Sequence, residues 1–594
     1  MSEEKEQLDL FELDTKPVIK GYPELRWTGK RPYTQTQYYP AQLKERYGSP
    51  DKNGWINKIF WGDNLQVMSH LLKEFRGKID LIYIDPPFDS KADYKKKIKL
   101  RGKDASNDNT FFEEKQYGDI WTNDEYLQFM YERLILLREL LTDNGSIYLH
   151  CDYHRSHQLR CLLDEIFGVG CVGNDNNAPG FREEIIWDKG FRGTESKNVY
   201  QRTHDTIFWY TKGSDWIWNQ QYAEYKDSKM GRYNKIDENG LRYALIKRVR
   251  TDGSVYYGRC YPNENGKKLE DVIFVPIMAS TDSERLDYPT QKPEELLEKL
   301  ILSSSNPNSI VFDCFMGSGT AQAVALKNGR RFIGADINLG AVQTTTKRLL
   351  NIINSASKSK PKMPGFEVYN VNNYDFFRNP IEAKDLLIEA LQIQPFNKGN
   401  VFDGELDGRK VKILPVNRIS TKADLSELIA NLPYKSYEKL AEDNPNEPVD
   451  RITLVCMGHE PDLAASFKQL IGSKYKIDVE VVDILKDKST LEFKRDSKAE
   501  VEFKNNTLVV KSFYPLNLLQ KLSLQKEEVS DWTELVDSIM VDYDYDGKTL
   551  NPQIIDVPDK KEFVKGKYSI PESHGKIRVK ITDLLSESLE IEVE

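Results

Sequence analysis

Phe312-Asp313-Cys314-Phe315-Met316-Gly317-Ser318-Gly319-Thr320 places two glycines between an apolar run and the start of a helical pattern. The run at 309–314 reads as a strand and 320–328 as a helix. Glycines in such a turn remove side chains, so a ligand can lie against the backbone, and the helix N-terminus behind them favours a carboxylate. A second strand follows at 331–336 and ends on Asp336, a position suited to bind ribose hydroxyls. A helix over 339–353 completes the unit. The spacing is not the GxGxxG of a dinucleotide fingerprint.

Upstream, the same alternation appears without a glycine turn of this kind. Residues 55–61 read as a short strand closed by Gly62-Asp63-Asn64, with a helical pattern through Leu65, Met68, Leu71 and Leu72. Residues 79–84 form a nearly continuous apolar run, as expected of a strand covered on both faces of a parallel sheet. It stops at Asp85-Pro86-Pro87-Phe88, because neither proline can donate to a ladder. A long amphipathic helix over 124–141 and a strand over 146–151 follow. Alternating strands and helices imply a doubly wound α/β domain. The glycine turn that should open such a domain comes late in this chain, and the later strands lie upstream. A circularly permuted, Rossmann-like core explains both facts.

Between the two halves, 181–288 changes character, being rich in tryptophan, tyrosine, glycine, asparagine and arginine. Beyond the Ser/Lys/Pro linker at 355–364 the chain mixes helices with alternating strands, including a hairpin around Asn505-Asn506. The domains are therefore expected at 1–54 (an N-terminal arm), 55–180, 181–288, 289–356 and 365–594, the last an α+β region. That agrees with a prior of roughly one domain per 150 residues.

Composition sets outer limits. A hydrophobic fraction of 39% with 30% charged residues describes a packed globular chain. No apolar run approaches the ~20 residues of a membrane span, and the acidic N-terminus gives no reason to expect a secretory leader. Six cysteines without a CxxC pattern fit a reduced, cytoplasmic setting. The net charge of −9 is unusual for a nucleic-acid partner, but binding depends on local patches. One such patch is 91–103, with Lys91, Lys95, Lys96, Lys97, Lys99, Arg101 and Lys103 opposed by Asp93. No Walker A pattern occurs, so ATP hydrolysis is not expected.

The tetrapeptide Asp85-Pro86-Pro87-Phe88 carries the chemistry. A carboxylate or carbonyl held by a rigid proline pair can accept hydrogen bonds from an aromatic amine, which directs nitrogen lone-pair density toward an incoming methyl group. Phe88 offers a flat surface for an extruded base. With the glycine loop, this tetrapeptide resembles the DNA amino-methyltransferases, which pair [DNS]PP[FYW] with FxGxG. The order, DPPF before FxGxG, is similar to the permuted beta class, and with Gly62-Asp63-Asn64 upstream it resembles the modification subunits of Type III restriction-modification systems over roughly 30–380.

That resemblance implies a site-specific DNA methyltransferase using S-adenosyl-L-methionine on the N6 amine of adenine, since cytosine-N4 enzymes usually begin the tetrapeptide with serine. Asp85, Pro86, Pro87 and Phe88 would form the amine and base site. Phe315, Gly317 and Gly319, with Asp313 and Thr320 beside them, would hold the methionine end of the cofactor, and Asp336 its ribose. Thr290-Gln291-Lys292-Pro293 matches the family segment that closes the cofactor pocket, and Asp63 would contact the cofactor adenine. The region 181–288 takes the place of target recognition, with Arg242, Lys247, Arg248 and Arg250 among Tyr243, Tyr256 and Tyr257. The 91–103 lysines would add sequence-independent DNA affinity. The implied partners are duplex DNA, a second copy of the chain and a helicase-nuclease restriction subunit. Cytosine N4 methylation and a non-catalytic DNA-targeting role stay open. His150, Cys151, Asp152, His154 and His157 crowd together, but no second Cys/His pair follows at finger spacing, so no metal is expected. His204-Asp205 reads as a strand entry.

Overall fold

The computed structural model describes residues 10–13, 24–88, 93–99, 111–118, 123–170, 178–190, 198, 200–225, 230–279, 282, 284–286, 288, 290–356, 363–371 and most of 393–593. Its central element is a ten-stranded sheet. In chain order the elements that build it are β1 (Ala41–Tyr47), β2 (Asn57–Trp61), α1 (Asn64–Phe75), β3 (Ile79–Ile84), α2 (Asn123–Leu140), β4 (Leu141–Cys151) and α3 (Ser156–Phe167). Then come β5 (Gly180–Asp188), β6 (His204–Thr211), β7 (Val272–Phe274), α4 (Glu294–Ser303), β8 (Ile310–Asp313), α5 (Thr320–Lys327), β9 (Arg331–Asp336), α6 (Leu339–Ala356) and β10 (Phe366–Val371). The spatial order is β7-β5-β6-β4-β3-β8-β9-β2-β10-β1. The run from β4 to β10 is parallel throughout.

Side-chain alternation explains why these strands are apolar on both faces. Ile82, Phe312 and Ile333 pack with α1, α2 and α3 on one side of the sheet, while Leu81, Val311 and Phe332 pack with α4, α5 and α6 on the other. β3 and β8 are neighbours, with Val311 opposite Leu81 and Phe312 opposite Ile82. After β3 the chain moves to β4 on one side, and after β8 to β9 on the other. The crevice between their carboxyl ends is thus a topological switch point, where open α/β sheets bind ligands.

The sheet redraws three boundaries read from the sequence. The 181–288 region is not one insertion, because β5, β6 and β7 belong to the central sheet and only the stretch between β6 and β7 stands apart. That stretch contains a three-stranded sheet of Lys235–Ile236, Arg242–Val249 and Val255–Cys260. The 1–54 arm contributes β1, an edge strand. The linker at 355–364 does not end the core either, since β10 follows it and pairs between β2 and β1. Local composition could not show these pairings, which join segments distant in sequence.

Beyond β10 three further sheets form, one of them the three-stranded sheet of Lys498–Lys504, Thr507–Tyr514 and Lys567–Ser569. Strands Arg409–Ile413, Asp450–Cys456 and Ile477–Asp483 pair in parallel over a separate core. An antiparallel sheet centred on Val536–Tyr545 and Lys576–Asp583 packs against the far edge of the central sheet. There Lys580 pairs with Glu45, Lys347 with Asp537 at 2.8 Å, and the Tyr47 hydroxyl donates to Met540 Sδ at 3.2 Å.

Candidate active site

The glycine turn is built by backbone geometry. Gly317 and Gly319 have φ of 52° and 70°, a region that L side chains rarely adopt. A Cβ at 319 would also stand 2.4 Å from Thr345 Cγ2. Asp336, at the end of β9, accepts the Gly317 N–H at 2.8 Å through Oδ2 and the Asn338 N–H at 2.8 Å through Oδ1. Asp313 accepts the Phe315 N–H at 2.9 Å. Behind the turn, Arg348 donates to the Ser318 carbonyl at 3.2 Å and to Thr320 Oγ1 at 3.0 Å, and is anchored on Glu294 at 2.7 Å.

Next to this turn, Asp85 follows the end of β3. One of its oxygens, Oδ2, takes the ammonium of Lys292, which also donates to the Thr290 carbonyl at 3.3 Å. The other, Oδ1, is buried and has no hydrogen-bond partner. Phe88 lies beside His150, ring centroids 6.1 Å apart, with the Lys292 ammonium 5.5 Å above its ring. His150 is fully buried. Its Nδ1 shares a hydrogen bond of 2.9 Å with the Tyr83 hydroxyl, and its Nε2 faces Asp205 at 3.5 Å.

Both strand ends open on one cavity of about 350 Å³. Of the residues expected around the amine and cofactor, Asp63, Asp85, Pro87, Lys292, Asp313, Phe315, Gly317, Thr320 and Asp336 line it. Pro86, Phe88, Pro293 and Gly319 do not; they shape the segments that carry the lining. Pro293 is the N-cap of α4, and Phe88 packs against the core. Asp63 is already engaged, capping α1 through the Leu65 N–H and pairing with Arg133 at 3.1 Å. Asp336 likewise has both oxygens engaged, Oδ2 by the glycine turn and Oδ1 by Asn338, which the sequence reading did not foresee. Asn64, Tyr83, Phe129, Tyr288 and Asn338 were missed as lining residues. Asn64 donates to the Cys314 carbonyl at 3.1 Å and accepts from Arg133 at 2.5 Å, binding the turn to α1 and α2. Its place beside Asp63 was the available signal.

Charge in the cavity is lopsided. Burial raises Asp336 to about 6, and burial followed by the nearby Asp85 and Asp336 charges holds Asp313 well above the usual carboxylate range. Burial, then the Lys292 charge, lowers His150, so its imidazole stays neutral. Lys292 is set directly on Asp85, while Asp313 and Asp336 line the same cavity, and a positively charged ligand is favoured there once Asp336 is ionised. Beside that ligand, Asp85 Oδ1 can accept an N–H from an amine.

The remaining expected sites lie apart from the cavity. Arg242, Lys247, Arg248 and Arg250 are exposed on or next to one strand of the three-stranded sheet. Lys247 stands opposite Tyr257 and Arg248 opposite Tyr256, and Arg250 lies 5.0 Å above the Tyr256 ring. Lys95, Lys96, Lys97 and Lys99 fall in strand Asp93–Lys99, described by its backbone, which pairs with Phe111–Gly118. Lys91, Arg101 and Lys103 lie outside the described residues. Asp152 accepts from His154 at 2.6 Å, and among the described residues no three His, Cys, Asp or Glu side chains gather as a metal site.

Residues 79–347 match the DNA methylase family N6_N4_Mtase. This segment is therefore similar to the DNA methyltransferases of the N6/N4 family. The matched span holds both strand-end motifs and the 290–293 segment. The chain is 28% identical over 395 residues to the Type II methyltransferase M.EcaI of Enterobacter cloacae, covering 57% of this chain and 82% of the relative. It is 24% identical over 304 residues to the DNA adenine methyltransferase YhdJ of Escherichia coli K12, covering 51% and 84%. A third relative is the Type III restriction-modification enzyme EcoPI Mod subunit of Escherichia phage P1, 26% identical over 265 residues, covering 42% of this chain and 39% of that subunit. The N6/N4 methyltransferase relatives therefore include Type II enzymes as well as a Type III subunit.

Proposed function

We propose that this N6/N4 methyltransferase methylates the N6 amine of adenine at a specific sequence in duplex DNA, with S-adenosyl-L-methionine as donor. The observation that carries the reading is Asp85: one oxygen is fixed by Lys292 and the other is buried and unpartnered beside an acidic cavity. Bound in that cavity, S-adenosyl-L-methionine supplies an electrophilic methyl group. The carboxylates fit its positive charge, and the glycine turn leaves room against the backbone. Phe315, Gly317, Asp313 and Asp336 would hold it.

The chain's own residues do the rest. Asp85 Oδ1 accepts an amine N–H, which keeps the nitrogen lone pair out of the ring and available for attack. Pro86 and Pro87 fix the carboxylate, and Phe88 meets the extruded base. Positioning and electrostatics supply the rate. The aspartate-led tetrapeptide and the adenine methyltransferase among the relatives both favour adenine over cytosine N4.

The likeness to a Type III modification subunit supports a restriction subunit as partner. The cysteine pattern supports a cytoplasmic setting, and the length of the C-terminal region without a catalytic motif supports a role in joining copies or partners. The cofactor-binding half following the catalytic half supports a circularly permuted core of the beta class. Nucleoside mass spectrometry of duplex DNA incubated with the chain and donor tests the central claim. N6-methyl-2′-deoxyadenosine is expected; N4-methyl-2′-deoxycytidine would move the target base, and no methylated nucleoside would leave a DNA-targeting role.

A further inference from the structure

A second cavity, of about 450 Å³, lies where β2, β10 and α6 meet the antiparallel C-terminal sheet. It is lined by Asn370, which is 1% exposed, yet neither Oδ1 nor Nδ2 has a hydrogen-bond partner. Gln343 of α6 also lines it; its amide nitrogen donates to Ser588 Oγ at 3.0 Å, and its Oε1 is buried and unpartnered. Buried amides are ordinarily satisfied, and those that line a roomy polar cavity are satisfied by what enters it. Trp61, opposite Asn370 in the β2–β10 ladder, is a lining residue as well. The charged lining comprises five cationic and three acidic side chains; Glu45, Asp537 and Glu590 are paired to Lys580, Lys347 and Arg578, and Arg578 also meets Glu592 just outside the lining at 3.1 Å. The balance is positive.

We propose that this cavity is a second ligand site, for an adenine nucleotide, separate from the methyl-transfer cavity. A side-chain amide offering a donor and an acceptor side by side matches the adjacent acceptor and donor of adenine. The Trp61 indole provides a surface for a flat base, and the surplus positive charge suits a phosphate. Pockets of this size form preferentially between domains. The site stands independently of the methyl-transfer reading.

Equilibrium dialysis of the full-length chain against radiolabelled adenosine 5′-monophosphate tests it. One saturable site is expected, weakened about tenfold or more by Asn370→Leu and unchanged by Asp336→Ala. Binding lost in Asp336→Ala but kept in Asn370→Leu would put the nucleotide in the first cavity and overturn the proposal. Absence of saturable binding would mean a water-filled seam and overturn it equally. Should Asn370→Leu fail to fold, hydrogen exchange on the unaltered chain decides. Slowing by the nucleotide at 339–345 and 366–371 is expected, whereas slowing confined to 313–319, or none, overturns it.

Discussion

The cavity at the ends of β3 and β8 and the exposed sheet around Arg242–Val249 are both rich in polar residues, but they are built in opposite ways. In the cavity nearly every polar group is held before any ligand arrives: Asp336 by two backbone N–H groups, Asp313 by one, and Asp85 by Lys292. On the exposed sheet the side chains stand in solvent, with Tyr257 at 65% exposure and Val249 at 66%. Chemistry requires desolvated, pre-oriented charge, because reorganisation during the reaction raises the barrier. Reading a duplex requires groups that can reach base edges and phosphates. The contrast predicts that substitutions in the cavity alter rate or cofactor affinity, and those on the sheet alter where the enzyme acts.

The largest effect belongs to Asp85. Asp85→Ala should lower single-turnover methyl transfer by about 10³-fold, the scale seen when one pre-organised group is removed from a reacting centre. Cofactor affinity by calorimetry should hold within about threefold, which corresponds to well under 1.4 kcal/mol. A folded variant that retains near-normal transfer would end the distinction between the cavity's two halves.

Asp336 comes next. Asp336→Ala should weaken cofactor binding by ~1.5–3 kcal/mol, the scale of hydrogen bonds to a charged group. The carboxyl also predicts a pH effect. Burial raises it from the model-compound value of 3.8 to about 6, so the folded chain holds this proton more tightly than the unfolded chain does. Its contribution to stability is therefore complete below pH 3.8 and is lost as pH rises through 6. A cationic ligand prefers the charged form, so the thermal shift produced by S-adenosyl-L-methionine should grow across that window. A pH-independent thermal shift would remove Asp336 from the cofactor site.

These two residues also show how far the sequence could be read. The switch-point crevice was legible because strand, turn and helix signals are local: two glycines between an apolar run and a helix, and two prolines ending another run. The Asn505-Asn506 hairpin was legible for the same reason, and both residues have positive φ, 51° and 57°. What stayed hidden was non-local. Nothing near Asp336 says that its Oδ2 fastens the Gly317 turn, and nothing near Lys292 says that its ammonium reaches Asp85. The composition of 181–288 reads as one separate region, yet within it β6 pairs with β4 and is buried along nearly its whole length.

Gly319→Ala tests whether the cavity's backbone is as tightly specified as its charges. The new methyl group would meet Thr345 in a left-handed conformation, at a cost of roughly 1–3 kcal/mol for such strain. Chemical denaturation should show that loss, and a Gly319→Ala, Thr345→Ser pair should recover part of it by removing Cγ2. No recovery would leave the penalty with φ and with Thr345 Oγ1 and Cβ, which stand 2.6 and 2.9 Å from the new methyl position.

The smallest single effects are expected on the exposed sheet, and they decide whether the contrast holds. Arg242, Lys247, Arg248 and Arg250 are exposed, so replacing any one with alanine should leave folding and cofactor affinity unchanged. An arginine that makes a bidentate contact to guanine is worth ~1–3 kcal/mol of discrimination, and one that meets a phosphate changes affinity without changing preference. Lys247 and Arg248 alternate in direction along the strand, so they face opposite sides of the small sheet and cannot both read the same groove. Sequencing of methylated DNA should therefore show altered site preference for one of these two and an unaltered motif for the other. The second should instead flatten the dependence of DNA affinity on salt. An unchanged motif and an unchanged salt slope in all four variants would take DNA reading away from this sheet, leaving the C-terminal sheets as the remaining place for it.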